Sequence, residues 1–212
     1  DLHTHSLLSD GALIPSELVR RARVTGYRAM AITDHVDESN IDTVLKQLIR
    51  VCARLNSDGG FKAVPGVELT HIPVAHIPAM VKKARTLGAC IVVGHGETIA
   101  EPVEGGTNLA FIRSKVDVLA HPGLITAREC GLAARNSVCL EITGRSGHSL
   151  TNGHVALIAK KCGARLVLNT DTHSPSDLIT VEKAEKIAIG AGLAPSDFRR
   201  MQKNALELIR NI

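Results

Sequence analysis

Seven short apolar runs, near residues 1–5, 29–33, 62–68, 90–95, 116–120, 138–143 and 165–170, recur along the chain with amphipathic segments between them. Each run has the length and aliphatic content of a strand buried on both faces. The segments between them read as helices over 15–24, 41–55, 78–87, 108–114, 126–136 and 151–162, and another over 176–189 follows the last run. Pro15-Ser16-Glu17 has the form of a first helical turn, where proline loses no hydrogen bond and an acid meets the positive end of the dipole. Gly26, Gly88 and Gly163 each stand between a helix and the next strand, the place for a left-handed cap. Alternation of this kind calls for parallel strands joined by right-handed crossovers. The expectation is an α/β fold, with 195–212 as one or two packed helices of the same domain.

Polar residues at the run ends decide whether such a sheet closes. His3, His5, Asp10, His35, Glu68, His95, His121, Asp171 and His173 are all potential metal ligands, and most stand at or just after the end of a run. The C-terminal ends of parallel strands converge on one face of a barrel, so residues scattered over the whole length can meet there. In a doubly wound open sheet, the competing architecture, outer strands carrying these residues would lie too far apart. A barrel is expected, as a single domain over residues 1–212 with no linker or low-complexity tract.

Composition narrows the function. There is no Trp, one Tyr (Tyr27) and three Phe, so the core is aliphatic and no aromatic platform exists for stacking many bases. A formal charge of +4 suits an anionic substrate, but Lys and Arg are spread along the helices as on an ordinary solvated surface. Cys52, Cys90, Cys130, Cys139 and Cys162 are odd in number and lack paired metal spacing, which fits a reducing cytoplasm better than a disulfide scaffold. No stretch is apolar and long enough to cross a membrane and no signal-peptide pattern is seen, so a cytoplasmic protein is expected. Nothing in the pattern specifies an oligomeric state.

His3 and His5 are one residue apart on a strand, so their side chains leave the same face and can close on one ion. Alone, such a pair is weak evidence. Here it is followed by Leu8-Ser9-Asp10-Gly11, then by Thr33-Asp34-His35 after the second run, Gly66-Val67-Glu68 after the third, His95 after the fourth, Ala120-His121-Pro122 after the fifth and Asp171-Thr172-His173 after the seventh. With these motifs in this order, the chain resembles the polymerase and histidinol phosphatase (PHP) superfamily over its whole length. It looks most like the compact archaeal-type, histidinol-phosphate phosphatase-like members. The resemblance implies a distorted (β/α)7 TIM-like barrel holding two or three divalent ions, commonly zinc, manganese or iron. It implies a first ion on His3, His5, Glu68 and Asp171, a second on Glu68, His95 and His121, and a third on Asp10, His35 and His173. Glu68 would bridge the first two, since a carboxylate offers two oxygens. Asp10 fills a slot that some relatives give to histidine, which shifts the third site toward a harder ion such as manganese.

Such a centre suits phosphoester hydrolysis, in which a hydroxide bridging two metals attacks phosphorus in line. The expected activity is that of a phosphatase on a small phosphomonoester, with L-histidinol phosphate and histidine biosynthesis as the family's suggestion. Glu68 and Asp171 would act at the centre. Arg145, just past the sixth run, is the candidate phosphate clamp, against a plain surface arginine in a Gly-rich loop. His148 follows in that loop as a candidate proton donor to the leaving group, against a loop histidine without a role. His71 and Glu97 are candidate substrate contacts, and Glu97 or Glu101 could meet an amine. Asp34 is expected to fix a loop by hydrogen bonding, while His154 reads as structural and His76 as an ordinary loop residue. The competing functions are a nuclease or nucleotide phosphatase acting on nucleotides or 5′-phosphorylated oligonucleotides, and a non-catalytic scaffold, which the complete ligand set opposes. No G-x-S-x-G elbow is present, Glu104-Gly105-Gly106-Thr107 lacks the spacing and lysine of a phosphate loop, and Gly94-His95-Gly96 reads as tight backbone room around a ligand.

Overall fold

The computed structural model describes residues 1–57 and 59–212. Its strands are β1 (Ala29–Ile32), β2 (His35–Val36), β3 (Lys62–Leu69), β4 (Ile91–His95), β5 (Val118–Ala120), β6 (Cys139–Thr143) and β7 (Leu166–Asn169). They pair in the order β1-β3-β4-β5-β6-β7, with β2 beside the upper half of β3, and every pairing is parallel. The helices are α1 (Pro15–Thr25), α2 (Ile41–Leu55), α3 (Ile77–Thr86), α4 (Thr107–Arg113), α5 (Ala127–Asn136), α6 (Asn152–Cys162), α7 (Val181–Gly190) and α8 (Pro195–Leu208). Among the described residues none is long and apolar enough to cross a membrane.

Residues 1–5 close the ring. On one side Ala31 N–H and Thr33 N–H donate to the carbonyls of Asp1 and Thr4 (2.9 and 2.8 Å). On the other, Asp171 N–H donates to His3 O (3.0 Å) and His5 N–H to Thr172 O (2.8 Å). The expected first strand is thus reduced to a single bridge, Thr4 with Thr172. Its ladder is interrupted because Leu2 N–H donates to the side-chain oxygen of Asn169 rather than to main chain (2.8 Å). The molecule is the distorted α/β barrel the sequence implied, with residues 1–5 as its seam.

Two further elements differ from expectation. The run at 29–33 continues as the separate strand β2, so His35 is itself a strand residue paired with Glu68. The expected helix 176–189 is broken into a 3-10 turn, Pro175–Asp177, and α7. The carboxylate of Asp177 turns back onto the N–H groups of His173 and Ser174 (3.0 and 2.8 Å), and Thr180 Oγ1 then caps α7 at Lys183 N. Such local side-chain bonds compete with helix.

Packing follows the strand alternation. Outward side chains such as Met30, Val67, Val92, Leu119 and Leu140 join the helices in the larger apolar cluster. Inward ones, Ala31, Val64, Ile91, Val93, Val118, Cys139 and Val167, fill the barrel, and Ile209 after α8 covers its lower end. Further along the same inward rows the chemistry changes. Val64 and Gly66 lead to Glu68, Ile91 and Val93 to His95, and Ala31 and Thr33 to His35. The barrel therefore has an aliphatic floor and a polar mouth. All five cysteines are free, with Cys52, Cys130 and Cys139 buried as small apolar residues.

Candidate metal centre

Backbone geometry brings the ligands into that mouth. His121 and Asp171 do not lie in regular strand. Each has a positive φ (27° and 53°), a conformation non-glycine residues rarely adopt. Strain of this kind costs on the order of 1–3 kcal/mol and persists where the surroundings fix it. The backbone around His95 is equally tight. A Cβ on Gly94 would lie 2.5 Å from the Phe111 ring, and one on Gly96 2.2 Å from Ala120 O. The two glycines leave the room expected of them.

All nine expected ligands meet. His3 Nε2 is 3.3 Å from Glu68 Oε1 and 3.7 Å from Asp171 Oδ1, and His5 Nε2 is 3.2 Å from Asp171 Oδ1. Glu68 presents its two oxygens to different rings. Oε1 faces His3 and His121 (3.3 and 3.7 Å), while Oε2 faces His5 and His35 (3.7 and 2.7 Å). His173 Nε2 and His35 Nε2 stand 3.2 and 3.6 Å from Asp10 Oδ1 and 3.4 Å from each other. Sets among these nine residues whose donor atoms lie close enough to share an ion include His3, His5 and Glu68; Glu68, His95 and His121; and His5, Asp10, His35 and His173.

The donors fit divalent ions on a separate ground. Seven buried side-chain polar atoms among the described residues lack a hydrogen-bond partner, and six belong here: His3 Nε2, both ring nitrogens of His5, Glu68 Oε1, His95 Nδ1 and His121 Nδ1. Leaving such an atom unpaired costs about 1–3 kcal/mol. A cation shared among several of them removes that cost, and nitrogen with carboxylate oxygen is a donor set for zinc, manganese or iron.

Electrostatics favour the ligand form at Glu68, His5 and His121, whereas neighbouring carboxylates, against burial, raise the pKa of His3, His35, His95 and His173. Burial opposes ionisation of Glu68, yet the rings of His3 and His35 hold its carboxyl well below the ordinary range. Burial, then repulsion from neighbouring rings, lowers His5 and His121, keeping them neutral as metal ligands must be. Asp171 is pushed up to about 7, first by burial and then by the nearby carboxylates of Glu68 and Glu141.

Glu141 is the site residue that sequence reasoning missed. Fully buried inside β6, it accepts from His3 Nδ1 (2.9 Å), His121 N–H (3.0 Å) and the Asn169 side-chain amide (2.9 Å). A charged residue within an otherwise apolar strand was the available signal. The bond places the proton of His3 on Nδ1 and turns Nε2 to the centre.

The other candidates separate into those near the centre and those drawn away. His148 is 7% exposed, with Nδ1 held by Thr98 Oγ1 at 2.7 Å and Nε2 4.0 Å from Asp171 Oδ2. Burial lowers its pKa. Arg145 Nη1 lies 3.3 Å from Asp177 Oδ2, on the rim beside the His173 loop. His71 Nε2 lies 3.4 Å from Glu101 Oε2, and Glu101 also reaches His95 and His148 (3.0 and 3.4 Å). Those contacts, the His95 hydrogen bond foremost, hold the Glu101 carboxyl down at about 2. Glu97 does not face the centre: its Oε1 accepts from Gly106 and Asn108 N–H (2.9 and 2.8 Å) at the start of α4, so the acid at the mouth is Glu101. Asp34 fixes the loop that carries Asp10, accepting from Ser6 N–H, Ser6 Oγ and Ser9 Oγ at 2.7 Å each. His154 bonds Ile125 O, and His76 lies at the surface near Glu38.

Known proteins resemble this chain in sequence and in fold. The chain is 51% identical to an uncharacterised protein, MJ1295 of Methanocaldococcus jannaschii, over 91% of its own length and 89% of that protein's. It is 27% identical to the DNA polymerase/3′-5′ exonuclease PolX of Bacillus subtilis over 82% of its length, spanning 34% of PolX. Its fold matches a chain in a structure of archaeal ribonuclease P with mature tRNA at TM-score 0.71 and 15% identity, covering 98% of this chain and 89% of that one. It also matches histidinol phosphate phosphatase of Lactococcus lactis, solved with zinc, L-histidinol and phosphate, at TM-score 0.63 and 16% identity, covering 92% and 94%. The PHP domain pattern matches residues 1–161, three quarters of the sequence and seven of the nine candidate ligands, all but Asp171 and His173 after β7; the chain belongs to the PHP domain family.

Proposed function

We propose that this protein is a metal-dependent phosphatase acting on a small phosphomonoester. The observation that carries the reading is the complete set of nine ligands with six unpartnered buried atoms among them. His3, His5, Glu68 and Asp171 would hold the first ion, Glu68, His95 and His121 the second, and Asp10, His35 and His173 the third, as zinc, manganese or iron. Bound there, the ions would polarise a phosphoryl group and bring the pKa of water toward neutrality.

The chain's own groups do the rest. Glu68 turns one oxygen to each side of the centre, and Glu141 keeps His3 in the ligand tautomer. Arg145 stands on the rim, where its guanidinium can take two phosphate oxygens in exchange for Asp177. Thr98 fixes His148 so that Nε2 faces the centre and can hold the proton that passes to the leaving oxygen. L-Histidinol phosphate is the first substrate to test, on the strength of the Lactococcus lactis likeness. The relation to PolX favours a second reading, a nuclease or phosphatase on nucleotides or short 5′-phosphorylated oligonucleotides.

Phosphate release by the metal-loaded protein from L-histidinol phosphate, nucleoside mono- and bisphosphates and 5′-phosphorylated oligonucleotides tests both. Selective release from histidinol phosphate, changing only modestly with salt, supports the first reading. Preference for oligonucleotides with steep salt sensitivity keeps the centre and replaces the substrate. No turnover of any of them with metal bound returns the chain to the scaffold class. Glu68→Ala is expected to abolish turnover while the far-ultraviolet circular dichroism stays native; retained activity refutes the bridging role.

A further inference from the structure

We propose that His71, His95 and Glu101 form a loading position for divalent cations at the mouth of the centre, through which the ion held by Glu68, His95 and His121 enters and leaves. The inference rests on the metal reading above and not on the identity of the substrate.

His95 belongs to two groups of donors at once. In the inner one it joins Glu68 and His121, all three buried. In the outer one it joins His71 and Glu101, whose side chains are 47% and 38% exposed. The spacing of the outer donors resembles that within the inner centre: His95 Nε2 and His71 Nε2 lie 3.0 and 3.4 Å from Glu101 Oε2. The His95 ring is 5.0 Å from the ring of His71 and 4.6 Å from that of His121. One imidazole therefore stands between a solvated donor pair and a buried one.

The outer pair is held in place. Glu101 lies in the 97–106 loop, which is tied down by Glu97 at the start of α4 and by the bond between Thr98 and His148. Val74 N–H donates to Glu104 Oε2 (3.3 Å), joining that loop to the segment that carries His71. Neither His71 nor Glu101 is among the nine ligands, yet both offer donor types that bind the same ions. A buried metal site needs a path by which a hydrated ion arrives. A partly exposed carboxylate and imidazole can replace some of its water first, and His95 can then keep hold while Glu68 and His121 replace the outer donors.

Zinc exchange in the metal-stripped protein tests this without any substrate. The readouts are zinc equivalents bound at saturation and the rate of zinc transfer to a chromophoric chelator in stopped flow. The double variant Glu101→Gln, His71→Gln is expected to bind as many equivalents as the native protein and to exchange one of them about tenfold more slowly or worse, the scale of effect seen for groups just outside a metal's ligands. Glu101→Asp should recover most of the rate. Unchanged exchange in the double variant overturns the proposal. Loss of one equivalent at saturation overturns it too, because Glu101 would then be a resident ligand. A native protein that binds no zinc removes the metal reading itself, whereas failure on every phosphate ester leaves the exchange result standing.

Discussion

Glu141 illustrates how much a single buried acid controls at this centre. Its carboxylate accepts from His3 Nδ1, His121 N–H and the Asn169 amide. Glu141→Gln replaces one accepting oxygen with a donor, and one of those three hydrogens then loses its partner. Metal affinity is expected to fall roughly 10- to 100-fold with the fold retained; zinc titration beside circular dichroism checks this, and native affinity would remove Glu141 from the site. The convergence of the nine side chains was legible in the sequence because each closes an apolar run or follows one closely, and run ends in a parallel barrel share a face. Glu141 was not, because a sequence does not tell which ring an acid inside a strand faces. Glu97 and Glu101 pose the same difficulty in a loop without periodicity. Which of the two reaches the mouth depends on the N–H groups of Gly106 and Asn108 claiming the first.

Elements position these residues through backbone contacts. Gly96 follows β4, and a methyl group there would meet Ala120 O at 2.2 Å and Pro122 Cα at 2.9 Å, both beside His121. Gly96→Ala must push two chain segments apart, with a stability loss of about 1–3 kcal/mol and weaker binding at the His95–His121 ion. Urea denaturation and metal titration check the two parts. At the other end of the barrel, Asp197 accepts from Ala194 N–H at the start of α8 (3.0 Å), with Lys160 at 3.2 Å. The Ala194 bond chiefly, with Lys160 and Arg200 nearby, holds its carboxyl below the ordinary 3.8. A depressed folded value adds stability above the unfolded one, lost as pH falls through the folded one. Asp197→Ala should therefore cost roughly 1 kcal/mol near neutrality, with the gap from the native protein narrowing toward pH 3 in paired denaturation curves. The extent of α2 could be read from the sequence to the residue, since an uninterrupted amphipathic stretch fixes it. The break before α7 could not, because Asp177 turns back onto the His173 loop, a contact set by tertiary geometry.

For the whole molecule, the centre joins side chains from the seam, from the strand ends and from the loops after β5 and β7. Ions bound only by the folded state add stability by mass action, about 2.7 kcal/mol for one site at a hundred times its dissociation constant. Chelation is expected to lower the melting temperature, and added zinc or manganese to restore it. An unchanged melting temperature would mean that the centre holds no ion in the folded protein. Closure was legible because ligands at both ends of the strand order had to meet. The seam's form was not, because Asn169 replaces a main-chain acceptor with its side chain.

That seam also orders events during synthesis. Asp171 N–H reaches back to His3 O and His5 N–H forward to Thr172 O, so the contacts that close the ring join residues nearly the whole chain apart. Pairings so distant in sequence are slow to form. A nascent chain ending before β7 carries His3, His5 and Glu68 but neither the closing backbone bonds nor Asp171. The ribosome must release almost the entire barrel before the side chains at its mouth can all converge.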